Sequence, residues 1–218
     1  MILFALPIEG SSSSLPQIVH LDVSKGSKKL GTEDYEFRPV GKDEREIKIV
    51  LHLSQNNLIL TAKSIYDMKG KWLSKSMKIE LGTQTVIGNA QLTADGADVD
   101  APSPTGRFKH ILQPPSGLSL LDPTVEWWRT VKPSPGTTAT FAYFDLEKVM
   151  WEKTTFTYIG DKIVTINGKS IKAHEVKQVL GPNTTDYYYD DSGDPVLING
   201  GTHFEMTSKS PDKQFRTQ

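Results

Sequence analysis

Apolar and polar residues alternate with a period of two along most of the chain. In "REIKIVLHL" Ile47, Ile49, Leu51 and Leu53 share one face, Lys48 and His52 take the other, and Val50 interrupts. In "SMKIEL" Met77, Ile79 and Leu81 alternate with Lys78 and Glu80, and in "DKIVTI" Val164 and Ile166 share a face. Successive side chains of a strand point to opposite faces, so this pattern predicts half-buried antiparallel strands. Asn167-Gly168, between "DKIVTI" and "KSIKAHEV", predicts a type I′ hairpin, because that turn needs positive φ at both central residues. Asp95-Gly96 predicts a similar turn in a more polar setting. The strand after Asn167-Gly168 breaks phase. Ile171 and Ala173 share one parity, whereas Val176, Gln178 and Leu180 take the other. Either a β-bulge near His174-Glu175 or a change of packing layer accounts for this.

"YDMKG" (Tyr66 to Gly70) returns as "YDDSG" (Tyr189 to Gly193). Each follows a polar-aromatic strand and precedes an apolar one. The spacing predicts one hairpin solution used twice, with Asp bonding the amides ahead of it and Gly supplying positive φ.

The middle of the chain differs. Seven of the 13 prolines lie between Ala101 and Gly136, and proline is excluded from central strands. Within this stretch "LDPTVEWWRTV" predicts a short helix with Asp122 as N-cap and Pro123 at its first position. The expected organisation is a flexible lead over 1–14, one β-rich domain over 15–208 and a frayed tail over 209–218. The domain has halves at about 15–100 and 137–208, joined by a Pro-rich crossover over 101–136. The fold class is mainly β: a curved antiparallel sheet, half-barrel or sandwich, with a short central helix.

Composition narrows the chemistry. Hydrophobic residues at 37% and charged residues at 23% of 218 mark a globular chain. A net charge of −1 gives no basic field for nucleic acid or anionic membrane. Without cysteine there are no disulfides, thiolate metal sites or thiol nucleophiles. No apolar run approaches the ~20 residues of a membrane helix. "MILFALPIEGSSSSLP" has a short apolar burst without a basic region before it, consistent with the stump of a trimmed signal peptide or with an ordinary start.

No catalytic motif stands out. There is no Gly-x-Ser-x-Gly elbow, phosphate loop or His-x-x-x-His pair, and Ser210-Pro211-Asp212-Lys213 lies in the tail without companion motifs. No cofactor is implied. Asp186, Asp190, Asp191 and Asp194 form the best calcium candidate loop, but they miss the alternate-position template of an EF-hand. Glu126 beside Trp127 and Trp128 suits a sugar site, though a Trp pair on a short helix equally caps a β core. The remaining rings lie on expected strands. Trp72, Trp127, Trp128, Tyr143, Trp151, Tyr158 and Tyr188 are the candidate lining of an apolar ligand site within a curved sheet.

"TTFTYIGDKIVTINGKSIKAHEVKQVL" and "DYYYDDSGDPVLI" together resemble a family of uncharacterised bacterial envelope (periplasmic) β-rich proteins. Tyr158, Gly160, Gly168, Lys169, Ala173 and Val176 carry the first motif, and Tyr188, Tyr189, Asp190 and Gly193 the second. "YDMKGKWL" and "VEWW" echo it more weakly. The family is similar in architecture to lipoprotein-carrier and lipid-binding envelope proteins. The resemblance implies a curved sheet covered on its concave side, periplasmic or secreted location and no catalytic residues.

Three functions are consistent with these features. The first is a non-catalytic binding or carrier protein for an apolar or lipidic ligand. The second is a carbohydrate-active enzyme or carbohydrate-binding module, using Glu126, Trp127, Trp128 and the 186–194 acids. The third is a structural or interaction domain with exposed strand edges.

Overall fold

A computed structural model describes residues 17–103, 106–127, 131–200 and 205–209. The lead over 1–14, the tail beyond 209 and Trp128 lie outside the described residues. Fourteen strands follow in chain order: Gln17–Lys25 (β1), Lys28–Val40 (β2), Glu44–Leu53 (β3), Leu58–Asp67 (β4), Trp72–Leu81 (β5), Gln84–Thr93 (β6), Gly96–Ser103 (β7), Gly106–Leu112 (β8), Thr138–Asp145 (β9), Met150–Ile166 (β10), Lys169–Leu180 (β11), Asn183–Tyr189 (β12), Pro195–Asn199 (β13) and Glu205–Ser208 (β14). They form one sheet, ordered β8-β7-β6-β5-β4-β3-β2-β1-β14-β13-β12-β11-β10-β9, with every ladder antiparallel. Two meanders of sequential hairpins, β1 to β8 and β9 to β14, meet at the β1–β14 ladder, where Leu21 faces Ser208 and Val23 faces Met206. Strand β8 occupies a stretch expected as crossover.

No ladder joins the outer strands β8 and β9 among the described residues; β9 packs instead against the face of β4 to β7. From Phe141 to Leu146 the chain is buried on both faces. One face carries Tyr143. The other carries Phe144 and Leu146 into a cluster with Tyr66, Trp72, Met77, Ala90, Ala97, Val99 and Ala101, which come from β4 to β7. Phe144 stacks on Trp72 at 5.7 Å and meets Trp151 edge-on at 5.2 Å. The Trp151 indole donates to the Leu112 carbonyl at 2.9 Å, anchoring β10 to the end of β8.

The crossover stitches the edge of β9. Ser119 bridges Phe141, its carbonyl accepts from the Ala142 amide at 2.8 Å, and Leu121 bridges Lys71. These bonds occupy backbone groups that an open edge would present to another chain. Among the described residues the short central α-helix is not seen. A single 3₁₀ turn, Pro123–Glu126, stands in its place. Asp122 does cap it, accepting from the Thr124 amide at 2.9 Å, and Pro123 opens it. The Asp122 amide is drawn to the Gly70 carbonyl at 2.8 Å and Trp127 into the core, so tertiary contacts hold both ends of a segment with β-branched Thr124 and Val125.

Both Tyr-Asp-x-x-Gly segments make the same turn. Asp67 Oδ1 accepts from the Lys69 and Lys71 amides at 2.8 and 2.9 Å, and Asp190 Oδ1 from the Ser192 and Asp194 amides at 2.9 Å each. Gly70 and Gly193 share φ of 83°. The ladder shifts at Ile65/Tyr66 in one copy and at Tyr188/Tyr189 in the other. Asn167 and Gly168 have φ of 52° and 77°, as a type I′ turn requires.

The phase break in β11 is a change of layer. Strand β11 pairs with β12 in regular register. Ile171 and Ala173 pack with Ile166, Val196 and Leu197, whereas Val176 packs on the opposite side with Trp127, Ala139 and Tyr158. The irregularity lies across the ladder in β10, where Ile159 is skipped between Tyr158 and Gly160.

Candidate functional site

The rolled sheet encloses a cavity of about 720 Å³, within the range of small-molecule sites. Strand parity builds its walls. From β2 come Tyr35 and Phe37, which alternate with the outward Asp34 and Glu36; from β3 come Arg45, Ile47 and Ile49; from β4 come Ala62, Ser64 and Tyr66. The opposite wall is Tyr143, Phe156, Val176, Gln178, Leu180, Tyr187, Tyr189 and Ile198. Asp122, Thr124 and Trp127 of the crossover cover one side. The cavity reaches the surface where Lys42, at the tip of the β2–β3 hairpin, and Met68, in the first Tyr-Asp-x-x-Gly turn, are exposed; Gly193 of the second turn borders it too.

Rings dominate the walls. Tyr187 and Tyr189 stack at 5.9 Å, Tyr35 and Phe37 at 6.4 Å, and Phe156 approaches Tyr187 at 6.3 Å. The Tyr187 hydroxyl donates to Gln178 Oε1 at 3.0 Å. Burial pushes the Tyr187 hydroxyl up to about 12 and the Tyr35 and Tyr189 hydroxyls well above their ordinary range, so these phenols stay neutral. They offer hydrogen bonds without charge.

The charged residues that border the site are Asp122 and a group around the β2–β3 hairpin. Asp122 is half-buried, its amide on the Gly70 carbonyl at 2.8 Å, and desolvation raises its carboxyl. Asp122 lies within electrostatic reach of Tyr66, Tyr189, Tyr143 and Lys75. Lys75 is buried beneath Tyr143, its Nζ 3.7 Å from the ring centroid, and desolvation lowers the amine to about 7. At the mouth stand Arg45, Lys42 and Glu44, with Arg38 paired to Glu46 at 2.7 Å.

The candidate residues from the sequence are distributed as follows. Tyr143 and Trp127 line the cavity, with Trp127 only 3% exposed. Tyr158 packs behind Trp127. Trp72 and Trp151 belong to the cluster where β9 overlaps β5 to β8. Tyr188 faces the other layer, against Ile166 and Val196, and its hydroxyl donates to Glu175 at 3.3 Å. The Glu126 side chain lies outside the described residues. Tyr35, Phe37, Tyr187 and Tyr189 were missed, although "DYEFR" alternates rings with charges.

The four acids of the 186–194 loop do not converge. Asp186 sits 3.8 Å from Lys177, Asp190 holds the turn amides, and Asp191 pairs with His174 Nε2 at 2.9 Å. Asp194 is buried at the turn exit. Among the described residues no three His, Asp or Glu side chains are grouped to hold a metal ion.

No family model and no curated protein matches the chain. The chain is similar in fold to the crystal structure of a β-barrel-like protein of a domain of unknown function, DUF1849, from Brucella abortus. The TM-score is 0.55 at 14% identity, over 89% of this chain and 94% of that one. A DUF1089 family protein from Pseudomonas aeruginosa aligns over 90% of this chain and 95% of its own, with a TM-score of 0.38 at 10% identity. The first of these shows the fold alone: a mainly β, barrel-like sheet. No helix among the described residues is long and apolar enough to cross a membrane.

Proposed function

We propose that the protein is a non-catalytic binding or carrier protein that takes an apolar or lipidic ligand into the interior of its rolled sheet. The observation that carries this reading is the cavity of about 720 Å³, walled by Tyr35, Phe37, Ile47, Ile49, Phe156 and Tyr187. A sheet of this size has residues enough to fill its interior, yet here the facing walls leave ligand-sized space between them. The phenol hydroxyls give orientation without charge, which suits a ligand that is mostly hydrocarbon or ring. Catalysis draws no support from the site, because Asp122 is engaged with Thr124 and Lys75 with the Phe144 carbonyl. The sugar-site alternative is weakened by burial of Trp127, which has no open face for a pyranose ring.

A periplasmic or secreted location forms part of the proposal and rests on the resemblance to envelope proteins; fractionation of cells producing the protein tests it. Native mass spectrometry after mild purification, with binding of the neutral dye N-phenyl-1-naphthylamine, tests the function. A bare protein mass together with no dye binding would sink it.

A further inference from the structure

Tyr143 brings a phenol to the cavity with nothing to bond. It stands half-buried on β9, and its ring rests on Lys75, whose Nζ lies 3.7 Å from the ring centroid. Other hydroxyls of the wall are engaged. Tyr187 donates to Gln178 at 3.0 Å, and Tyr35 and Tyr66 are hydrogen-bonded to Glu33 and Ser64. The Tyr143 hydroxyl has no such partner among the described residues. It is not sealed from solvent either, so it opens into the space that the residue lines. Asp122 adds an acceptor to this donor. Its Oδ1 accepts from the Thr124 amide at 2.9 Å and the Thr124 hydroxyl at 2.5 Å, whereas Oδ2 has no partner among the described residues and is not sealed. The two side chains lie within electrostatic reach of each other. The bond from the Asp122 amide to Gly70 sets this acceptor beside the turn that carries Met68 to the opening.

The charges around this space cancel. Arg38, Lys42 and Arg45 border the cavity against Glu44, Glu46 and Asp122. Behind the wall Lys75 and Glu33 add one of each sign, and desolvation drives both toward their uncharged forms. A charged head entering here would lose its water without meeting an unopposed counter-charge, whereas a hydroxyl loses less and gains partners.

We propose that the ligand is an uncharged amphiphile with an alcohol head, which accepts from Tyr143 and donates to Asp122 Oδ2 while its apolar body runs along Ile47, Ile49 and Phe156. An alcohol oxygen both donates and accepts, so one hydroxyl, or two on adjacent carbons, serves the pair. This inference rests on the binding function proposed above and specifies its ligand.

The test is displacement of N-phenyl-1-naphthylamine by four compounds that carry the same dodecyl group: dodecanol, 1-chlorododecane, dodecanoate and dodecyltrimethylammonium. On the unaltered protein dodecanol displaces the dye at concentrations about tenfold below either ion. Tyr143→Phe keeps the ring and removes the donor, so about threefold to tenfold more dodecanol is needed while 1-chlorododecane is unchanged. Displacement by either ion at the concentration of dodecanol or below overturns the inference and leaves the binding function standing. So does dodecanol binding that Tyr143→Phe leaves unchanged. Equal weakening of dodecanol and 1-chlorododecane assigns Tyr143 to packing and overturns it too. Silence of all four compounds overturns both readings. The comparison of dodecanol with the two ions needs no variant, so it stands whether or not Tyr143→Phe folds.

Discussion

The Lys75 ammonium donates to the Phe144 carbonyl at 2.8 Å, joining positions 69 residues apart in the chain. That bond fastens the overlapped edge of β9 to the inner face of β5 and places a lysine where water is excluded. Burial lowers the amine to about 7 from an ordinary 10.5. Between those values the unfolded chain carries a proton that the folded protein does not. Stability therefore rises with pH from about 7 toward 10.5, and the contribution is flat below about 7, where both states are charged. Equilibrium urea unfolding between pH 7 and 9.5, below the titration of tyrosine, should show this rise, and Lys75→Met should abolish it. A slope that survives the substitution would assign it elsewhere.

Gly31 sits where β2 meets β3, and a Cβ there would stand 1.8 Å from the His52 carbonyl oxygen. Backbone must move to admit it. Gly31→Ala should cost about 2 kcal/mol, in the range of overpacked sites, measured as a lower urea midpoint with unchanged m-value.

The two Tyr-Asp-x-x-Gly turns have equal geometry and unequal burial. Asp190 is 4% exposed, whereas the Lys69 amide that Asp67 serves lies near water. Loss of the carboxylate at Asp190 strands donors in the interior at a cost of about 1–3 kcal/mol each. Asp190→Ala should therefore destabilise more than Asp67→Ala, and Asn at either position should recover most of the loss. Equal costs for the two alanines would contradict this account.

Trp127 closes one side of the cavity from the position that follows the 3₁₀ turn Pro123–Glu126. Trp127→Ala should lower stability by about 3–5 kcal/mol and enlarge the interior. Calorimetry measures the first effect. The second should appear as weakened binding of N-phenyl-1-naphthylamine in the fraction that remains folded.

Much of the fold was legible because strands write their burial directly into sequence parity. Ile47 and Ile49, Met77 and Ile79, the Asn167-Gly168 turn and both Tyr-Asp-x-x-Gly turns are local features, set by neighbours within a few residues. The site was less legible because it depends on which face of each strand turns inward after the sheet has rolled. Three successive tyrosines illustrate the difficulty. Strand parity puts Tyr188 on the face opposite to Tyr187 and Tyr189, and it is Tyr187 and Tyr189 that reach the cavity while Tyr188 packs in the other layer. Lys75 carries no local mark of burial, since its neighbours Ser74 and Ser76 read as an exposed strand. Its desolvation follows from β9, nearly seventy residues later, lying across it. The expected α-helix is not seen among the described residues for the same reason: Asp122 and Pro123 signal a start, but the contacts of Gly70 and Trp127 decide how far it runs.

The order of the strands has a consequence for synthesis on the ribosome. Strands β1 to β8 each find a partner in the strand just made, so the first meander pairs as it emerges. The other side of β1 waits for Glu205–Ser208, the last of the described strands in chain order. The centre of the finished sheet is thus the last seam to be sewn, and until then Val19, Leu21 and Val23 belong to an unprotected edge. His20, Asp22 and Lys25 along the same strand supply the polar and charged side chains that discourage a stray partner during that wait.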